Sequence, residues 1–122
     1  MSDNTTAVEI KAFVPARDFA LSKQFYQDLG FELRSDGGGV AYFAHGNTSF
    51  LLQDFYQSEH ASNFMMHLLV EDVAAWHRRV LASGVAERFG VTVGELEEQP
   101  WGMRDFVLYD PSGVLWRIGQ NL

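Results

Sequence analysis

The sequence predicts an α+β fold built from two paired βαβββ modules curled around a concave inner face. Three observations predict it: a closing hairpin with strict alternation, a helix whose cap and stop recur further along, and strand signals around each helix. The closing stretch PWGMRDFVLYDPSGVLWRIG sets Met103–Tyr109 and Val114–Ile118 on either side of the turn Asp110 to Gly113. Pro pre-sets the turn, Asp bonds its own backbone, and Gly permits positive φ. Alternation gives one apolar set, Phe106, Leu108, Val114, Trp116 and Ile118. The other, mixed set is Asp105, Val107, Tyr109, Leu115 and Arg117. The first set suits a helix-covered core. The second suits a solvated surface or a binding concavity.

In chain order, residues 1–6 are polar and expected to fray. Val8–Val14 alternates as a strand. Asp18 is placed to cap a helix over Phe19–Leu29, with Leu21, Ser22, Phe25 and Leu29 on one face and Gly30 as its stop. Strands are expected over Phe31–Ser35, Val40–Ala44 and Thr48–Gln53, with turns at Asp36 to Gly39 and His45 to Asn47. Residues 55–63 read as a polar linker with Phe55 and Tyr56. The pattern then restarts. Phe64–Val70 is a strand, and Asp72 caps a helix over Val73–Ser83, with Trp76 inward and Gly84 as its stop. A weaker strand is expected in Glu87–Val93, and Gly94–Gln99 reads as an acidic loop. A shift of 54 superposes Asp18 on Asp72 and Gly30 on Gly84, and a shift of 67 superposes Gly46 on Gly113 and Phe50 on Arg117. Module one spans about 7–54 and module two about 64–120, within one domain over 1–122.

Composition bounds the function. The 122 residues are 47% hydrophobic and 20% charged, as in an ordinary globular domain. No Cys is present, which excludes disulfides, thiolate metal sites and a cysteine nucleophile. Sixteen acidic residues against nine Lys and Arg give a net charge of −7, which disfavours nucleic acid as a partner. No apolar run approaches membrane-spanning length and the start MSDNTTAVEI lacks a leader pattern, so a cytoplasmic protein is expected, with no membrane partner.

The stretches VPARDFALSKQFYQDLGFEL, HLLVEDVAAWHRRV and the closing hairpin segment resemble the glyoxalase/bleomycin resistance/dioxygenase superfamily, the vicinal oxygen chelate proteins. The short length and the Trp-Gly ahead of the DPSG turn look most like the bleomycin resistance proteins within it. The resemblance implies the glyoxalase/bleomycin resistance fold. It further implies a homodimer whose interface grooves sequester an antibiotic, with the N-terminal strand exchanged next to a proline that Pro15 matches. The superfamily's enzymes carry His, Glu or Gln metal ligands at inward positions on the first and last strand of each half. Counting from Asp18, Asp72 and Asp110 puts Lys11, Phe50, Met65 and Arg117 there. Their neighbours Ala12, Leu51, Met66 and Trp116 are no better donors. No metal and no cofactor are therefore expected.

Alternation places Lys11, Phe13, Val40, Tyr42, Phe50, Leu52, Met65, His67, Leu69, Asp105, Val107, Tyr109, Leu115 and Arg117 on the inner face, an aromatic and aliphatic lining with a few charges. The expected ligand contacts are Phe13, Tyr42, Phe50, Met65, His67, Trp101, Asp105, Val107, Tyr109 and Arg117, with no catalytic residue assigned. Trp101 would stack on a flat compound, and Glu95, Glu97 and Glu98 would draw in a cation. Three readings stand at this point. One is metal-free sequestration of a bleomycin-type antibiotic or a similar cationic, aromatic compound. The second is an enzyme of the same superfamily, a lyase, isomerase or dioxygenase. The third is a regulatory or structural dimer whose cavity its own side chains fill. Lys11 and Arg117 are either ligand contacts that would suit an anion, or cations paired internally with Glu9 and Asp105.

Overall fold

The structure, a computed structural model, describes residues 4–122. Its strands are β1 (Phe13–Pro15), β2 (Glu32–Gly37), β3 (Val40–His45), β4 (Thr48–Gln53), β5 (Met65–Leu69), β6 (Glu97–Gln99), β7 (Met103–Tyr109) and β8 (Leu115–Asn121). Its helices are α1 (Phe19–Leu29), α2 (Ser58–Ser62), α3 (Val73–Ser83) and α4 (Val85–Phe89). The strands form two four-stranded sheets of identical plan, β1-β4-β3-β2 and β5-β8-β7-β6. In each, the first strand runs parallel to the last and the remaining pairs are antiparallel. Among the described residues no strand of one sheet pairs with the other, so the expected edge-to-edge join is made by packing instead of a hydrogen-bond ladder.

Local chemistry explains the punctuation. Asp18 accepts the Leu21 N–H at 3.1 Å and Asp72 accepts the Ala75 N–H at 3.0 Å, so both helices start where a carboxylate meets free amides. Gly30 ends α1 at φ 116°, and its bare Cα lets the Arg79 guanidinium of α3 reach the Gly30 carbonyl at 3.3 Å. Gly38 and Gly39, at φ 64° and 79°, supply the two positive-φ residues of a tight hairpin turn between β2 and β3.

One core joins both halves. Phe43, Phe50 and Leu52 from the first sheet and Phe106, Leu108, Trp116 and Ile118 from the second pack on Phe25, Tyr26, Leu29, Val73, Val80 and Val85 of the helices. At its centre Tyr26 donates its O–H to Asp110 Oδ2 at 2.6 Å and accepts the Trp116 indole N–H at 2.9 Å. Asp110 Oδ1 accepts the N–H groups of Ser112 and Val114, each at 2.9 Å. The closing turn is thus held by its own carboxylate, and that carboxylate is held by the first helix.

Several expectations are corrected. The strand expected over Val8–Val14 shortens to Phe13–Pro15. Upstream, Val8 and Ile10 are 95% and 96% exposed, while Glu9 pairs with Lys11 and accepts from the Tyr42 hydroxyl, so alternation there exists without a partner edge. Of the frayed segment, residues 1–3 lie outside the described residues, and Asn4–Thr6 has no regular structure. The strand expected in Glu87–Val93 is replaced by the end of helix α4, over Glu87 to Phe89, and an irregular segment after it. Val85 and Phe89, four residues apart, turn toward the core, and Phe89 meets the Phe25 ring edge-on at 5.4 Å. Val93 keeps one isolated bridge to Leu108. The linker at 55–63 contains α2, anchored by fully buried Ala61, and the acidic loop ends in β6. Trp76, expected in the core, is half-buried at its margin.

The interior hydrogen bonds generate the first prediction. Tyr26→Phe removes a donor to a buried carboxylate and the acceptor of a buried indole, and should cost about 1.5–3 kcal/mol in denaturant unfolding. Burial, then the nearby Asp110 charge, holds the Tyr26 phenol well above 10. The folded state therefore keeps a proton that the unfolded chain begins to lose near pH 10. This contribution is full below pH 10 and is lost as pH rises toward the folded value. The alkaline decline in stability should accordingly be shallower in Tyr26→Phe than in the wild type; equal slopes would contradict the assignment.

Candidate ligand-binding site

Each sheet spends one face on the core and leaves the other open. On the second sheet, register sets Asp105 and Val107 of β7 opposite Gly119 and Arg117 of β8, and His67 of β5 beside Arg117 on its other flank. Met65 lies beside Leu115, and Tyr109 is paired to Leu115 from β7. The face holds a cleft of about 310 Å³ lined by Gly94, Glu95, Glu97, Asp105, Phe106, Val107, Tyr109, Leu115 and Arg117. Glu97 stands directly opposite Asp105 across the β6–β7 ladder. His77 of α3 is half-buried. Its Nε2 lies 2.9 Å from the Gly94 carbonyl and its ring packs on Phe106, which fixes the start of the cleft's acidic wall.

The charges in this face are paired. Arg117 Nη1 donates to Asp105 Oδ2 at 3.0 Å, and Asp105 Oδ1 accepts from Gln99 Nε2 at 2.9 Å. Asp105 is buried, as an ion satisfied by a guanidinium and an amide can be. Glu98 leans to the other side of β6 and meets Arg104 at 2.7 Å. Glu95 and Glu97 join no ion pair among the described residues, so they set the sign of the cleft.

The first sheet has a smaller cleft of about 240 Å³, lined by residues that include Glu9, Arg34, Tyr42 and Ser49. The Tyr42 O–H donates to Glu9 at 3.1 Å, Lys11 bonds Glu9 at 3.0 Å, and the Lys11 ammonium sits 5.1 Å from the Tyr42 ring centroid. The Lys11 hydrogen bond, the largest favourable influence, holds the Glu9 carboxyl below its usual range. Phe13 lies on this face beside Leu51.

The structure therefore gathers Asp105, Val107, Tyr109 and Arg117, and puts Met65 and His67 on the same face. Phe13 and Tyr42 stand on the other sheet's open face, and the two clefts share no lining residue. Trp101 is 59% exposed at the β6–β7 turn, outside the lining of both clefts. Phe50, with Leu52, is corrected outright. Phe50 is 1% exposed and packs on Tyr26, Phe31, Phe43 and Trp116. The offset of 67 matched glycines in turns of unequal length. Leu51 pairs with Phe13 and Tyr42 as Arg117 pairs with His67 and Val107, so the true offset is 66 and Leu51 is the counterpart of Arg117. Gln99 and the pairing of Glu97 with Asp105 escaped the sequence reading. Alternation of Glu95, Glu97 and Gln99 was the available signal, masked by reading the segment as a loop.

The family model described as Glyoxalase/Bleomycin resistance protein/Dioxygenase superfamily matches residues 8–118, and the chain belongs to that superfamily. Within it, the chain is 30% identical over 116 residues to a bleomycin resistance protein of Klebsiella pneumoniae, covering 88% of each. It is similar to a bleomycin-binding protein solved in complex with bleomycin, at 27% identity and a TM-score of 0.80, covering 95% of this chain and 100% of that one. It also resembles a bleomycin resistance determinant encoded on the transposon Tn5, at 25% identity and a TM-score of 0.77, covering 94% and 98%. The metal of the superfamily's enzymes does not fit this donor set. On the corrected register the neighbouring open-face pairs are Phe13 with Leu51 and His67 with Arg117, which puts a guanidinium beside the sole imidazole. No three His, Cys, Asp or Glu come together among the described residues.

Arg117→Met should expose the cost of an uncompensated buried carboxylate, destabilising the fold by about 1–3 kcal/mol. In an Asp105→Asn background the same change should cost much less. A double-mutant cycle by denaturant unfolding measures this, and additive costs would show that the pair is not coupled.

Proposed function

We propose that this protein is a binding protein that sequesters a bleomycin-type antibiotic or a similar flat, cationic, aromatic compound. The observation that carries the reading is the charge state of the open faces. The cations on the open faces that would suit an anionic ligand are already paired, Lys11 with Glu9, Arg34 with Glu32 and Arg117 with Asp105, which leaves Glu95 and Glu97 facing the second sheet's cleft. Val107, Tyr109 and Leu115 give that cleft an apolar floor for a flat ring system. The names of the similar proteins point the same way. Met65, His67, Phe13 and Tyr42 are assigned to the walls of the groove and Trp101 to its rim.

The groove is completed in a homodimer. Two open faces on separate sheets, each with a shallow cleft of its own, become one two-walled site when a second copy lays one face over the other. Val8, Ile10 and Met65, all strongly exposed and apolar, are the side chains such an assembly would cover. Exchange of the N-terminal arm ahead of Pro15 accounts for Val8 and Ile10 in particular. Val8→Asp with Ile10→Asp should raise the dimer dissociation constant by about tenfold or more in sedimentation analysis. An unchanged association constant would remove the arm from the interface, and a wild-type monomer would remove the dimer.

Calorimetric titration with bleomycin, metal-free and copper-loaded, tests the ligand. Saturable binding is expected, weakened about tenfold or more in Glu95→Gln/Glu97→Gln and weakened further by salt in the wild type. Trp101→Ala should weaken binding without changing stability. Absence of saturable binding by the wild type would overturn the proposal.

A further inference from the structure

The largest of the clefts described lies at the seam between the two halves beside the start of α3, and borders the open faces only at its margin, through Thr48 and Leu69. Its volume is about 440 Å³, within the range of small-molecule sites. It forms where the β3–β4 turn of the first half meets the start of α3 in the second, and it shares no lining residue with the cleft of the second sheet. Leu68, Leu69 and Val70 build an apolar wall, and the half-buried Trp76 indole faces His45 edge-on at 4.9 Å.

The polar groups at its rim are acidic and uncommitted. Glu71 joins no ion pair among the described residues. Asp72 uses one oxygen to cap α3 and has the other to offer. That cap already satisfies the helix terminus which would otherwise draw an anion. The guanidinium that packs on Trp76, Arg79, is engaged with the Gly30 carbonyl as well.

From this cleft we infer a second ligand site, independent of the proposed antibiotic groove, for a small protonated amine carrying one aromatic ring. The ring fills the apolar wall beside Trp76, and the ammonium meets Glu71 in a charge-assisted hydrogen bond. The two sites are built from different residues, Glu71 and Trp76 here against Glu95, Glu97, Tyr109 and Arg117 in the groove. The two sites are therefore separable by experiment.

Amide NMR titration of the full chain with phenethylamine, phenethyl alcohol and phenylacetate tests the site. Phenethylamine should give saturable shifts confined to residues 45–48 and 68–76. The alcohol should bind about tenfold more weakly or worse, and phenylacetate not at all. Glu71→Gln should reduce amine affinity to that of the alcohol. Ala75→Phe, which fills the cleft, should abolish binding; should that variant fail to fold, the exposed Glu71 substitution still decides. Three results would overturn the inference: no saturable shift, shifts centred instead on Tyr109 and Arg117, or phenylacetate binding as tightly as the amine. Bleomycin titration of Glu71→Gln should match the wild type, so that failure at one site is not mistaken for failure at the other.

Discussion

The hydrogen bonds joining Tyr26, Asp110 and Trp116 are the constraint on which the rest of the molecule leans. They connect the first helix to the last turn across 84 residues of chain. Burying a carboxylate is costly, and burial does raise the Asp110 carboxyl above its ordinary value, against the pull of the Tyr26 hydroxyl and neighbouring amides. The arrangement persists because each polar atom has a partner; among the described residues no buried side-chain nitrogen or oxygen lacks one. In return the geometry is specific. Asp110 sets the turn, the turn sets the β7–β8 register, and that register places Trp116 against Phe31 and Phe50 of the first half.

Because both sheets give one face to this shared interior, chemistry is left to the opposite faces and to the seams between halves. The open face of the second sheet is not simply a polar exterior. Its central ion pair is bonded by Gln99 from the neighbouring β6, and the carboxylates of Glu95 and Glu97 line the same cleft. Gly119 serves this packing directly. A Cβ there would come within 3.2 Å of Asp105 Cβ and 3.1 Å of Met103 Cε, so the glycine is what lets the carboxylate settle against β8.

Much of this was legible in the residues. Strong punctuation, Asp18 with Gly30 and Asp72 with Gly84, fixed both long helices to the residue, and strict alternation gave the two faces of β7 and β8 correctly. Alternation failed where no partner strand existed to use it, at Val8 and Ile10. It failed again across a turn of different length, where a one-residue error carried Phe50 from the core to the site. Asp110 was legible as a turn residue but not as the partner of Tyr26, since nothing local marks a bond over that separation. The pairing of Lys11 and Arg117 was open in sequence because each had a carboxylate within reach and a competing role as a ligand contact. Only the side-chain distances decide between them.

The Arg117–Asp105 pair has a consequence for how ligand preference could drift among related chains. The positive charge is still present beneath the cleft, cancelled by a single neighbouring carboxylate. An Asp-to-Asn change at that one position, reachable by one nucleotide, would unmask the guanidinium while keeping side-chain volume nearly constant. The local balance would move toward anions without any rebuilding of the fold. The charge balance of the cleft thus turns on one buried carboxylate.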